Sequence, residues 1–132
     1  MIAVELSRIV IDEEKREQVV VLKETDGNRM LPIVIGLNEA AAIRMQFTDF
    51  VPPRPMTHDL ICTIIDSLQA DLEKVVIDKL EESTFHAKLY LTSSTREAVV
   101  DARPSDSIAI AVRTRSPIFV EEEVFEKVSP GI

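Results

Sequence analysis

Between Thr84 and Thr92 apolar and polar side chains alternate without a break: Phe85, Ala87, Leu89 and Leu91 against His86, Lys88, Tyr90 and Thr92. A period of two puts one set on each face of a strand, so the segment needs a sheet with one face covered. The other face is polar and carries a ring, an ammonium and a phenol. The cover has to come from segments with a helical period. One is plain in Leu60, Ile61, Ile64, Ile65 and Leu68, which share a single apolar face at helical spacing.

The same reading extends along the chain. Ile2–Ile11, Gln18–Lys23 and Met30–Ile35 read as strands, with Pro32 suiting an edge or a bulge. Asp26-Gly27 marks a turn whose type stays open. A helix is expected from about Glu39 to Asp49, capped by Asn38 and burying Ala40, Ile43, Phe47 and Phe50. The prolines of Val51–Pro55 stop it, and Thr57 is the expected cap of the next helix, with Asp59 against its positive end. Leu72–Leu80 is a strand candidate and Glu82–Ser83 a short turn. A strand through Val99, Val100 and Asp101 leads to a short helix that starts at Pro104 and ends near Arg113. Pro117–Val120 reads as a last strand, Glu121–Glu126 as a further helical turn and the final residues as frayed. The order is strands, two helices, strands, short helix, strand. It predicts an α+β fold, a mostly antiparallel or mixed sheet packed with two to three helices.

A chain of 132 residues is expected to form one domain, 1–132, and buries roughly two-thirds of its unfolded surface. The formal net charge of −8 counts against a protein that coats DNA or RNA, although an acidic nuclease that holds metals with carboxylates is compatible with it. Three glycines, none in a GxGxxG or GxxxxGKS/T pattern, exclude the standard nucleotide loops. There is no HExxH and no GxSxG. Cys62 stands alone in an apolar helical pattern and is expected to be buried; it can form neither an internal disulfide nor a thiolate cluster. No apolar run is long enough to span a bilayer, so no membrane partner and a cytoplasmic location are expected.

Chemistry concentrates at helix starts, where unpaired N–H groups favour capping or anion binding. RPMTHDL (Arg54–Leu60) supplies Arg54, Thr57, His58 and Asp59; ARPSDSIAIAV (Ala102–Val112) supplies Arg103, Ser105 and Asp106. Arginine offers planar donors for phosphate, and histidine titrates near neutral pH. Glu39, Asp59 and Asp106 could cap their own helices, or converge as oxygen ligands for Mg²⁺ or Mn²⁺ with metal-activated water attacking a phosphodiester. Asp101 with Asp106 is a second possible carboxylate pair. Lys88, with His86 and Tyr90 on one strand face, is a further candidate surface for substrate.

LPIVIG with Glu39 and Ala40 after it, PPRPMTHDL, FHAKL, ARPSDSIAIAV and SPIFVEEEV follow one another over nearly the whole chain. In these stretches the chain resembles the bifunctional nuclease domain family. The connection Ser93–Glu97 is shorter than in some relatives. The resemblance implies a compact α+β domain, often a homodimer, and an RNA- and DNA-degrading activity like that described for plant members. On that reading His58, Asp59, Arg103 and Asp106 are the candidate catalytic residues. Arg54, Thr57, Ser105 and Lys88 hold substrate, and Glu39, Asp59 and Asp106 hold a metal. The alternative is a non-catalytic ligand- or protein-binding regulatory module at the same helix starts.

Overall fold

The computed structural model describes residues 1–128. The frayed end expected for the last residues lies outside them. Eleven elements follow in chain order. Three strands come first, β1 (Ile2–Asp12), β2 (Glu17–Glu24) and β3 (Met30–Ile35), then two helices, α1 (Leu37–Met45) and α2 (Thr57–Ser67). Strands β4 (Asp71–Glu81), β5 (Thr84–Thr92) and β6 (Glu97–Ala102) are next, then helix α3 (Pro104–Thr114), strand β7 (Ile118–Val120) and helix α4 (Glu122–Lys127). The fold is α+β, as the order of patterns predicts.

One seven-stranded sheet runs in the order β3-β2-β1-β7-β4-β5-β6. Every pair is antiparallel except β4 with β7. The short β7 therefore joins two meanders, β1–β3 and β4–β6, into one sheet. Pro32 lies on the edge strand β3, where a missing N–H costs no ladder bond on the open side. Along β5 Ala87 and Leu89 are buried, so the alternating apolar set faces the core as expected. His86, Lys88, Tyr90 and Thr92 are half-buried on the other face.

Helix α3 is the centre of the second layer, touching α1 and α2 on its flanks and β4 and β5 beneath. Pro104, Ser105 and Ser107 to Ala111 are all buried. Burial on nearly every side suits a helix of small residues, because Ala109, Ala111, Ser105 and Ser107 let its neighbours approach closely. The core joins Ala40 and Ile43 of α1 and Ile108 of α3 to Val20, Leu22, Leu31, Val75 and Ile77 of the sheet. At the C-terminal end α4 is pinned by Arg29, which pairs with Glu122 at 2.7 Å and lies 4.4 Å over the Phe125 ring.

Several local expectations need correction. Helix α1 begins two residues early, with Gly36 and not Asn38 as its cap, and ends at Met45. Gln46, Phe47 and Thr48 bond back three residues, to Ile43, Arg44 and Met45. That tight turn breaks the helical period, and Phe47 and Phe50 emerge 65% and 59% exposed instead of extending the buried stripe. Met56, not Thr57, caps α2, and its N–H donates to Asp59 Oδ2 at 3.1 Å. The apolar face of α2 is split: Ile61 and Cys62 pack on the core, while Leu60, Ile64 and Leu68 are exposed. Cys62 is half-buried, and its thiol is pushed up mainly by that burial. Asp26-Gly27 does turn the chain, yet Gly27 has no positive φ, and Glu24 N–H donating to the Arg29 carbonyl closes a longer loop. The left-handed pair is Glu82 and Ser83, with φ of 49° and 65°.

Candidate functional site

Because α3 lies between α1 and α2, its first turn meets theirs. Arg103 precedes Pro104 in extended conformation and caps α3 through its backbone, leaving its side chain free to reach outward. Its Nε donates to Asp106 Oδ2 at 2.9 Å and its guanidinium to Glu39 Oε1, in the first turn of α1, at 3.2 Å. The other oxygen of Asp106 lies 2.9 Å from His58 Nε2, in the first turn of α2. Glu39, His58, Arg103 and Asp106 thus join three helix starts around a cavity of about 370 Å³, with Asn38, Met56 and Thr57 also in its wall.

His58 is buried at 8% exposure, whereas Arg103 is exposed along most of its side chain. Nδ1 of His58 has no hydrogen-bond partner among the described residues and is not sealed, since the one buried side-chain atom left unpaired there is Asp78 Oδ1. Burial opposes the charge on Asp106, but the hydrogen bonds from Arg103 and His58 outweigh it and hold its carboxyl below the usual range. The Asp106 hydrogen bond in turn raises Arg103. The cluster is therefore a carboxylate, arginine, carboxylate row with a histidine at one end. An exposed guanidinium is a group suited to a phosphate-like anion, and here it stands in one cavity with an imidazole.

Asp59 lies outside this row. Its Oδ1 accepts from Arg113 Nε at 2.8 Å, and it lines the neighbouring cavity together with Arg54. The Arg113 hydrogen bond is the main cause that lowers the Asp59 carboxyl, with burial opposing it. Arg113 is 6% exposed along its side chain and also donates to the carbonyls of Ala109 and Ala42. Sequence reasoning passed over Arg113 as the end of a helix. An arginine four positions beyond the buried Ala109 was the available signal, because it returns along the same helix face.

The remaining candidates are dispersed. Thr57 lines the central cavity; Ser105 is buried and lines the cavity on the β3 side. Lys88 sits on the opposite face of the sheet, 3.1 Å from Asp101 and 3.4 Å from Asp78. Its ammonium is raised chiefly by the Asp101 hydrogen bond, and Asp101 does not line the central cavity. Among the described residues no group of three His, Cys, Asp or Glu side chains is arranged to hold a metal ion. No described helix is long and apolar enough to cross a membrane.

A mixed-sheet α+β protein whose polar groups meet at the head of a central helix defines a class, and comparison with known proteins places the chain within it. The chain belongs to the bifunctional nuclease domain family, which matches residues 20–131. It is 47% identical over 116 residues to an uncharacterized protein of Mycobacterium tuberculosis, a match that covers 88% of this chain and 69% of that one. Bifunctional nuclease 2 of rice is 29% identical over 118 residues, covering 86% of this chain and 36% of the rice protein. Bifunctional nuclease 1 of Arabidopsis thaliana is 30% identical over 107 residues, covering 78% and 33%. The chain spans about a third of the length of these plant relatives.

Proposed function

We propose that the protein is a nuclease that hydrolyses phosphodiester bonds of RNA and DNA at the cavity shared by the three helix starts. The observation that carries this reading is the meeting of His58, Asp106, Arg103 and Glu39 in one cavity. Arg103 holds the phosphate and stabilises the charge that grows as the phosphorus is attacked. Asp106 fixes the Nε2 edge of His58, so the Nδ1 edge exchanges protons. The oxygen of water bonds to phosphorus as its proton passes to His58, and the P–O ester bond breaks as the leaving oxygen takes a proton from solvent water. The products are a phosphomonoester and a hydroxyl.

Glu39 and Asp106, the two carboxylates on either side of the exposed Arg103 side chain, are the oxygen donors that would hold Mg²⁺ or Mn²⁺. A bound ion would supply charge stabilisation and a more acidic water. Asp59 is left out of that set because Arg113 holds it. A homodimer belongs to the same proposal, with the exposed stripe Leu60, Ile64 and Leu68 of α2 as the contact for a second copy. Sedimentation measures it.

The rival reading, a module that binds an anion without cleaving, is favoured by one observation: Arg103 already pairs with both carboxylates. One assay separates the two. Labelled RNA and single-stranded DNA are incubated with Mg²⁺, Mn²⁺ or chelator, beside His58→Ala and Asp106→Asn proteins shown to be folded. Cleavage that falls ~10²-fold or more in both variants supports the nuclease. Cleavage at the level of the variants refutes it and leaves the binding module.

A further inference from the structure

Strand β1 is paired unequally on its two edges. β2 accompanies it from Val4 to Asp12, but β7, three residues long, meets it only from Ile2 to Val4. Past Val4 the second edge carries a row of backbone N–H and C=O groups with no ladder partner among the described residues. An open edge of this kind is a template for another strand. The register with β2 shifts between Leu6 and Arg8, just beyond the end of β7, and the strand then runs out as Arg8, Ile9, Val10, Ile11 and Asp12. Ile9 packs against the core, so Ile9 and Ile11 share the helix-facing side of the sheet, and Arg8, Val10 and Asp12 the open side. Val10 is 39% exposed and Ile11 55%.

Read backwards, this segment is its own complement: arginine answers aspartate, isoleucine answers isoleucine, and valine lies at the centre. We infer that β1 pairs through this edge, antiparallel, with β1 of a second copy of the chain, about a two-fold axis at Val10. Arg8 then stands opposite Asp12 of the second copy and Ile9 opposite its Ile11, and the same pairs recur on the other side of the axis. Directly opposite residues of an antiparallel pair point to the same face, so both charge pairs lie on the open side and both isoleucine pairs on the helix side. Within one chain Arg8 and Asp12 cannot meet, because four residues of strand hold them ~13 Å apart. Arg8 takes part in none of the ion pairs among the described residues. Asp12 accepts the Glu14 and Lys15 N–H groups through Oδ1, at 3.1 and 3.2 Å, which leaves Oδ2 for a guanidinium. A slip of the register by two residues sets Arg8 or Asp12 opposite Val10, so the charges select this one alignment. The edge is distinct from the exposed stripe of α2, and the inference stands apart from that contact and from the nuclease reading.

The test is sedimentation of the full chain over about a hundredfold range of concentration, with the fold of each variant checked by circular dichroism. The wild type should associate. Arg8→Glu sets like charges opposite one another on both sides of the axis, as does Asp12→Lys, and each variant alone should sediment at half the wild-type mass. Mixed in equal amounts, the two complement each other's charges, and the wild-type mass should return. Val10→Lys, which leaves the Asp12 hydrogen bonds of the turn untouched, should also halve the mass. Leu60→Lys, on the α2 stripe, should still sediment as two copies. Should Asp12→Lys fail to fold without its turn, Arg8→Glu and Val10→Lys decide alone. A wild type that stays monomeric, a mass unmoved by Arg8→Glu and Val10→Lys, or a mixture of folded variants that remains at half mass overturns the inference. Association lost in Leu60→Lys but kept in Val10→Lys overturns it in favour of the α2 contact.

Discussion

Arg113 and Asp59, 54 positions apart in the chain, meet at 2.8 Å where the three helices of the second layer come together. The same guanidinium donates to the Ala42 carbonyl of α1 and the Ala109 carbonyl of α3, while Asp59 accepts the Met56 N–H that opens α2. One buried side chain thus sets the position of the α2 first turn against the other two, and His58 is the residue beside Asp59. Replacing Arg113 by Met strands a carboxylate and two carbonyls. A fully buried pair would lose 3–5 kcal/mol, and partial exposure of Asp59 reduces this to about 2 kcal/mol. Urea denaturation should show that loss, with Arg113→Lys recovering less than half of it, since an ammonium cannot spread its donors over three acceptors in a plane.

Stability should fall on the acid side through Asp59 and Asp106. Arg113 first, and Met56 N–H after it, lower the Asp59 carboxyl; Asp106 is lowered because Arg103 and His58 together outweigh its burial. In the unfolded chain both carboxyls bind protons at higher pH, so below their ordinary range, about pH 4, the unfolded state takes up more protons than the folded one. Stabilisation from these groups is complete above that pH and is lost as pH drops through the folded values. Thermal melts of Asp59→Asn between pH 3 and 6 should show a flatter dependence than wild type. An unchanged slope would mean that the Asp59–Arg113 pair does not form in solution.

The sheet was legible in the sequence because each strand carries its own signal. Alternation in β5, the Val-rich run of β2 and the single edge proline of β3 are local patterns, and pairing only arranged them. Helix limits were less legible. Phe47 and Phe50 keep the spacing of a buried stripe, but the tight turn after Met45 diverts the chain, and no residue before Pro52 announces it. At the candidate site, each acidic residue read equally as a cap or as a ligand. Only the placing of α3 between α1 and α2 brings Glu39, His58, Arg103 and Asp106 together and assigns Asp59 to Arg113. Those relationships span 48 to 64 positions and leave no periodic trace.

The β4–β5 hairpin carries a strain that can be removed. Glu82 and Ser83 both take left-handed φ, 49° and 65°, the pattern of a two-residue primed turn that Asn-Gly fills without cost to a side chain. Both residues are exposed. The double change Glu82→Asn, Ser83→Gly should therefore stabilise the protein by about 1 kcal/mol, read as a higher urea midpoint at unchanged slope. Since Ser83 also lines the cavity on the β3 side, the same protein measured for cleavage reports whether that hydroxyl touches substrate.

Gly36 offers a way to move Glu39 without replacing it. The cap of α1 has φ −74° and ψ 163°, a backbone any residue adopts, so the absence of a side chain there answers a need for space and not for conformation. A Cβ at Gly36 would collide with the Glu39 carboxyl group, the flexible end of a side chain that can swing away. Gly36→Ala should accordingly fold with a stability change of no more than about 0.5 kcal/mol, while breaking the Glu39–Arg103 contact of 3.2 Å and leaving Arg103 held by Asp106 alone. If Glu39 positions Arg103 or contributes an oxygen ligand, cleavage drops about tenfold in Gly36→Ala and in Glu39→Gln, and the double variant is no worse than either, because two changes that remove one contact do not add. Additive losses would instead show that Gly36 acts through the mouth of the neighbouring cavity and not through Glu39.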